Sequence, residues 1–187
     1  MSANAREAIL SAARKAAQAH GYTGLNFRDL AAEVGIKAAS IHYHFPAKAD
    51  LGAAVAERYW QDTAAELDAI LAEAADPLDC LRRYPLIFRR SLENGNRLCL
   101  GSFMAAESDD LPDTVKAEVR TFTDVNVAWL SKVLAATGHG DTAANDARAR
   151  AMFAAVAGAQ LLARSRADLD LFDRLIESYR EAGLLPG

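Results

Sequence analysis

Four consecutive residues, His42, Tyr43, His44 and Phe45, carry rings, and Pro46 ends whatever helix they stand on. Lys37 and Ser40 precede them and Lys48 follows. Imidazole, phenol, hydroxyl and ammonium groups are the donors that reach phosphate oxygens and base edges of a duplex. The same residues do not point to catalysis. His42 and His44, two positions apart, lie on different sides of a helix, which disfavours a shared metal. The chain has no Walker-type glycine loop, no H-E-x-x-H and no paired cysteine motif. No catalytic residue, metal or cofactor is therefore expected, and the chain is not read as an enzyme.

The elements that must position these rings are short and well punctuated. A first helix is expected from about Asn4 to His20, with Ile9, Ala13, Ala16 and Ala17 on one face and Gly21 where a left-handed cap falls. Asn26 is a good N-cap, Asp29 stands at N3 in a box-like arrangement, and Leu25 and Leu30 have the spacing of a hydrophobic staple. A second helix then occupies about 27 to 34. Gly35 breaks it, Ile36 supplies an apolar plug, and a third helix runs from about Ala38 to His44. Two such helices joined by a glycine turn make a helix-turn-helix, although an αα-corner in an ordinary core has the same outline.

In a helix-turn-helix the second helix enters the major groove with its first turn at the bases. That turn offers Lys37, Ala38, Ala39 and Ser40. At about 100° per residue, Ile41 and Phe45 share the inward face while His42, Tyr43 and His44 fan across the others. A solvated or partly buried aromatic surface is the plainer alternative for these rings. Lys48 suits phosphate contact, since it stands in the first turn of the next helix, where anions are favoured.

The rest of the chain is consistent with two jobs. Of the net charge of −4, residues 1–50 contribute +2 from six Lys and Arg against four Asp and Glu, and the remainder −6 from 15 against 21. A mildly basic head on an acidic body fits a duplex partner better than the total does. Two cysteines, Cys80 and Cys99, are too few for a disulfide framework, and the N-terminal residues lack the apolar core of a signal peptide. No window approaches the roughly 18 apolar residues of a membrane span. A cytoplasmic location, without membrane contact, is the expectation.

The segment "ILSAARKAAQAHGYTGLNFRDLAAEVGIKAASIHYHFPAKADL", residues 9 to 51, closely resembles the DNA-binding domain of TetR-family transcriptional regulators. Shared are the apolar first helix, the Gly-Tyr pair, the capped second helix and an aromatic run close to a lysine, "HYHF" here against the family's "YxHF". The resemblance covers about a quarter of the chain. It implies that Arg28 and Lys37 reach base edges, that Ser40 and Tyr43 contact bases or nearby backbone, and that His42, His44 and Lys48 hold phosphates. The family usually has Tyr where this sequence has His42, so that contact is open to pH through the imidazole. Residues 1–48 would form the DNA-binding domain and 49–187 an effector-binding and dimerisation domain, about nine helices in an all-α fold.

Beyond Pro46 the helices are expected at about 47–75, 77–93, 97–108, 112–137, 142–166 and 168–183, separated by "DP", "NGN", "DDLPD", "GHGD" and the Asp168 start. Family members pair through their last two helices. Met152, Phe153, Val156, Ala159, Gln160 and Ala163 recur at three-and-four spacing, and Phe172, Leu175, Ile176 and Tyr179 do so on the final helix. They would make a four-helix interface closed by a two-fold axis, or else an intramolecular core stripe. A homodimer would place two heads on a near-palindromic operator.

Large soft side chains on the middle helices, Trp60, Tyr84, Phe88, Cys99, Phe103, Met104, Phe122 and Trp129, are candidates for an effector pocket, with Asn126 and Gln160 as polar partners. Plain core is the alternative for each. A small, largely apolar or electrophilic effector fits this list. Cys99 stands near a helix start, two residues after Arg97, a setting that favours the thiolate. The segment "CLGSFMAAE" resembles a stretch in a branch of the family that includes sensors of reactive electrophiles. The expected function is a ligand-responsive regulator, most simply a repressor that leaves its operator when effector binds. A helical interaction protein without DNA binding is the main alternative, and an enzyme a weaker one.

Overall fold

A computed structural model describes residues 2–138 and 140–187, and among these the regular elements are helices throughout, with no strand. The helices are α1 (Ser2–His20), α2 (Phe27–Val34), α3 (Ala38–His44), α4 (Lys48–Glu73), α5 (Pro77–Glu93), α6 (Leu100–Ala106), α7 (Asp113–Ala136), α8 (Thr142–Arg166) and α9 (Leu169–Glu181). Short 3-10 turns lie at Tyr22–Gly24 and Ser108–Asp110. Residue 139, within the expected "GHGD" break, lies outside the described residues. No helix is long and apolar enough to cross a membrane among the described residues.

The chain divides into two compact units, one formed by residues 1–61 and 100–122, the other by 62–99 and 123–187. The unit that holds the helix-turn-helix is thus larger than residues 1–48. It also takes in the start of α4, all of α6 and the first part of α7.

In the first unit α1 packs against α2, α3 and α6. Its buried face carries Ile9, Ala13 and Ala17, and Leu25, Leu30, Ile41, Phe45 and Leu51 are buried in the same unit. The Asn26 side chain accepts from the N–H groups of Arg28 (2.9 Å) and Asp29 (3.3 Å), satisfying two of the donors a helix start leaves open. Its own N–H goes to the Gly24 carbonyl at 3.0 Å, so the expected box with Asp29 is only half made. Gly35 closes α2 in the left-handed region (φ 73°, ψ 32°), and the Ile36 N–H returns to the Ala31 carbonyl at 3.0 Å. That is the Schellman arrangement, and it sets the sharp turn into α3. Gly21 differs from expectation: its φ of 67° pairs with a ψ of −162°, a conformation essentially reserved for glycine rather than a left-handed helical cap.

In the second unit α8 packs on α9 and α5. Arg89 of α5 donates to both carboxylate oxygens of Asp173 on α9, at 2.8 and 2.9 Å, and this guanidinium holds the Asp173 carboxyl below its ordinary range. The sixth helix is shorter than the expected 97–108. The Arg97 N–H bonds back to Ser91 O (3.0 Å) and the Cys99 N–H is taken by Gln160, so the backbone becomes helical only at Leu100.

Candidate nucleic-acid interface and effector residues

Helix α3 presents its rings as the sequence periodicity requires. Ile41 is 0% exposed and Phe45 3%, whereas Tyr43 is 80% exposed. His42 is exposed as well, and His44 is half-buried. The apolar pair holds the helix to the core, and the ring-bearing face is free for a partner. Tyr43 meets His44 edge-on at 5.1 Å between centroids. Burying Ile41 and Phe45 contributes roughly 1.5–3 kcal/mol each, enough to fix so short a helix in place.

Arg28, on α2, is exposed, as is Lys37, the residue before α3. Ser40 is half-buried and its N–H bonds to the Lys37 carbonyl at 2.8 Å. Lys48 is half-buried at the start of α4, with its ammonium 4.6 Å above the Tyr22 ring and 3.4 Å from Thr23 O, to which it donates. An ammonium has three donors, so a phosphate can share it. All seven sequence-derived interface residues lie in the first unit.

The ten effector candidates fall in both units. Trp60, Phe103, Met104 and Phe122 belong to the first. There the Trp60 indole N–H donates to Glu118 at 2.7 Å, and Phe122 lies 5.5 Å from Tyr59. Tyr84, Phe88, Cys99, Asn126, Trp129 and Gln160 belong to the second and form a joined, buried set. The Tyr84 hydroxyl donates to Asn126 at 2.9 Å, and its ring stacks on Trp129 and leans on Phe88. Burial, and next the neighbouring Cys99, push the Tyr84 phenol well above its ordinary range, so it remains a donor. Gln160 gives its amide hydrogen to Phe88 O (2.7 Å) and accepts from the Cys99 N–H (2.9 Å). The buried Trp129 indole N–H has no acceptor among the described residues.

A cleft of about 460 Å³ also lies between α7 and α8 in the second unit. Val127, Ala128 and Phe153 line it together with Thr123, Asp124, Asp146 and Arg150. None of the ten effector candidates lines this cleft, while Phe153, expected at the dimer face, does.

Of the residues expected at a dimer face, Met152, Val156, Ala159, Ala163, Phe172 and Ile176 are buried within the single subunit, as the alternative of an intramolecular core stripe requires. Phe153, Leu175 and Tyr179 are half-buried. Three-and-four spacing identifies an apolar face without saying which chain covers it. The other side of α8 carries Ala151, Ala154, Leu161 and Leu162, all exposed, with Leu161 at 55% and Leu162 at 50%. A Cβ at Gly158 would meet nothing within 4 Å.

The family model described as bacterial regulatory proteins, tetR family, matches residues 9–55, the stretch that contains α2, α3 and the Lys48 helix start. Over nearly the whole chain, a TetR-family transcriptional regulator from Agrobacterium tumefaciens is similar, with 30% identity, 97% of this chain and 98% of that one covered, and a TM-score of 0.88. The chain belongs to the TetR family. A TetR transcriptional regulator from Legionella pneumophila is also 30% identical, covering 94% of this chain and 95% of that one at a TM-score of 0.88. The reduced form of NemR from E. coli shares the fold, with 18% identity, 97% of each chain covered and a TM-score of 0.82. Among curated proteins no match was found.

This TetR-family chain is accordingly a DNA-binding transcriptional regulator, with an N-terminal helix-turn-helix and a helical C-terminal domain, and the family's members are transcription factors rather than enzymes. Two features of this TetR-family head escaped sequence reasoning. Tyr22 lies under Lys48, and the Glu107 carboxylate accepts the Tyr22 N–H at 2.7 Å across 85 positions. Only the unusual demand for glycine at 21 carries a trace of that contact in the sequence.

Proposed function

We propose that this TetR-family regulator is a repressor that binds a near-palindromic operator as a homodimer and leaves it when a small, largely apolar or electrophilic effector enters the C-terminal domain. The observation that carries the DNA-binding half is the division of α3, with Ile41 and Phe45 buried and Tyr43 80% exposed beside His42. Arg28 and Lys37 are assigned to base edges, Ser40 and Tyr43 to bases or adjoining backbone, and His42, His44 and Lys48 to phosphates. The head acts on one half-site. A second copy about one helical turn away supplies the rest of the specificity.

The dimer is assigned to the outward side of α8 around Gly158, Leu161 and Leu162. Exposed leucines flanking a glycine with open space above it support this choice, because a partner helix can approach closely there. The effector is assigned to the aromatic set around Tyr84, Phe88 and Trp129, whose unsatisfied indole N–H favours a ligand with an acceptor atom. An electrophile aimed at Cys99 has to enter the domain first, since the thiol is 2% exposed. Cys99→Ser would then keep operator binding and lose release by such a compound.

Effector and operator oppose one another through two states of the same dimer. A tenfold loss of operator affinity takes about 1.4 kcal/mol of difference in effector affinity between those states. The experiment is a gel shift with the DNA flanking the chain's own gene against a scrambled duplex of equal length. A complex that forms on the first at concentrations where the second stays free supports the reading. Equal retardation of both would end it.

A further inference from the structure

Tyr22 is held at both ends. Its backbone N–H donates to the Glu107 carboxylate at 2.7 Å, and its ring lies 4.6 Å below the Lys48 ammonium. The slot that admits the carboxylate exists because residue 21 has no side chain. A Cβ on Gly21 would stand 2.1 Å from one Glu107 carboxylate oxygen and 2.4 Å from the other, and the φ of 67° disfavours any other residue. The ring is equally confined, since a Cβ on Gly52 of α4 would lie 2.7 Å from its edge. Glu107 directly follows α6 and its N–H still bonds to Met104 O at 3.0 Å, so the carboxylate travels with the C-terminal end of that helix.

We propose that Glu107 is a positioning residue for Lys48: its carboxylate fixes the Gly21–Tyr22 turn, and the turn holds the ammonium where it grips an operator phosphate. The carboxylate thereby links the end of α6 to the Lys48 ammonium. The inference rests on the operator-binding reading above, and deepens it by naming a residue through which binding is controlled.

Direct electrostatics and positioning predict opposite results. Removing a negative charge from a DNA-binding head strengthens binding if charge is all that matters. If Glu107 acts by holding the turn, Glu107→Ala weakens operator binding by about tenfold and lowers the steepness of its salt dependence by about one phosphate contact. Glu107→Gln, whose amide oxygen still accepts the Tyr22 N–H, stays within about twofold of the parent. In a Lys48→Ala background Glu107→Ala has no further effect, because the two act in series. Melting temperatures measured on the same samples exclude simple unfolding.

Should Glu107→Ala fail to fold, hydrogen exchange on the parent gives the same answer. Operator DNA, by clamping Lys48, slows exchange of the Tyr22 amide at least about threefold. Tighter binding by Glu107→Ala, equal losses with and without Lys48, or a Tyr22 amide indifferent to DNA would each overturn the inference. A parent chain that does not select the flanking DNA at all would instead overturn the operator-binding reading, and this inference with it.

Discussion

The imidazole of His42 stands edge-on to the ring of Phe27, with centroids 4.7 Å apart and planes inclined at 60°. The contact ties α3 to α2 and brings His42 Nδ1 to 3.4 Å from the Pro46 carbonyl. With Nδ1–H donating to that carbonyl, Nε2 is the nitrogen left for a phosphate, and it can donate only when the ring carries its second proton.

From this geometry His42→Ala, which removes the ring from Phe27 and the donor from the phosphate, should weaken operator binding by roughly 1–2 kcal/mol, and His42→Tyr, whose hydroxyl can donate, by less. Fluorescence anisotropy on a labelled operator at constant ionic strength measures the difference. Equal affinity in the parent and His42→Ala would take the imidazole out of the phosphate contact.

Arg28, in the first turn of α2, and Lys37, just before α3, are both exposed, and both are assigned to base edges in the proposed complex. Arg28→Ala and Lys37→Ala should each relax preference at particular operator positions, by roughly 1–3 kcal/mol where the lost contact is bidentate. Competition among single-base variants of the operator reads this out. A uniform loss across all sequences would reassign both to the phosphates.

The helix-turn-helix was legible in the sequence because its signals are local. Asn26 caps within three residues, Gly35 turns at its own position, and the Ile41–Phe45 face follows from helical periodicity alone. The outward aim of Tyr43 came with that face. What stayed hidden is non-local. The partner of Gly21 lies at Glu107, and the bridge from Gln160 to Phe88 and Cys99 spans 72 and 61 positions. The dimer stripe was ambiguous for a different reason. An alanine-rich helix is apolar on most sides, so spacing selected Met152, Val156 and Ala159, which the subunit itself covers, and passed over Leu161 and Leu162.

If the outward side of α8 pairs the subunits, replacing both Leu161 and Leu162 with Glu places like charges at the dimer axis. The variant should sediment as a monomer with its helical content intact, and should lose most of its operator affinity along with the second head. A dimer that survives both substitutions would put the interface elsewhere.

Gln160 is 0% exposed and holds two backbone groups that no solvent reaches. Gln160→Leu leaves the Cys99 N–H without an acceptor, so unfolding free energy should drop by roughly 1–3 kcal/mol. The urea midpoint should move with the slope unchanged. A shift under about 0.5 kcal/mol would show that the bridge is replaceable by water or by local rearrangement.

In the proposed complex the exposed face of α3 and the Lys48 ammonium grip the phosphates of a duplex. This grip is tested most directly by the dependence of operator affinity on salt, measured for the parent and for Lys48→Ala on the same DNA. Log affinity should fall straight and steeply with log salt in the parent, with a slope shallower by about one in Lys48→Ala and the same loss on operator and scrambled duplexes alike. A parent slope near zero, or a Lys48→Ala slope equal to the parent's, would contradict it.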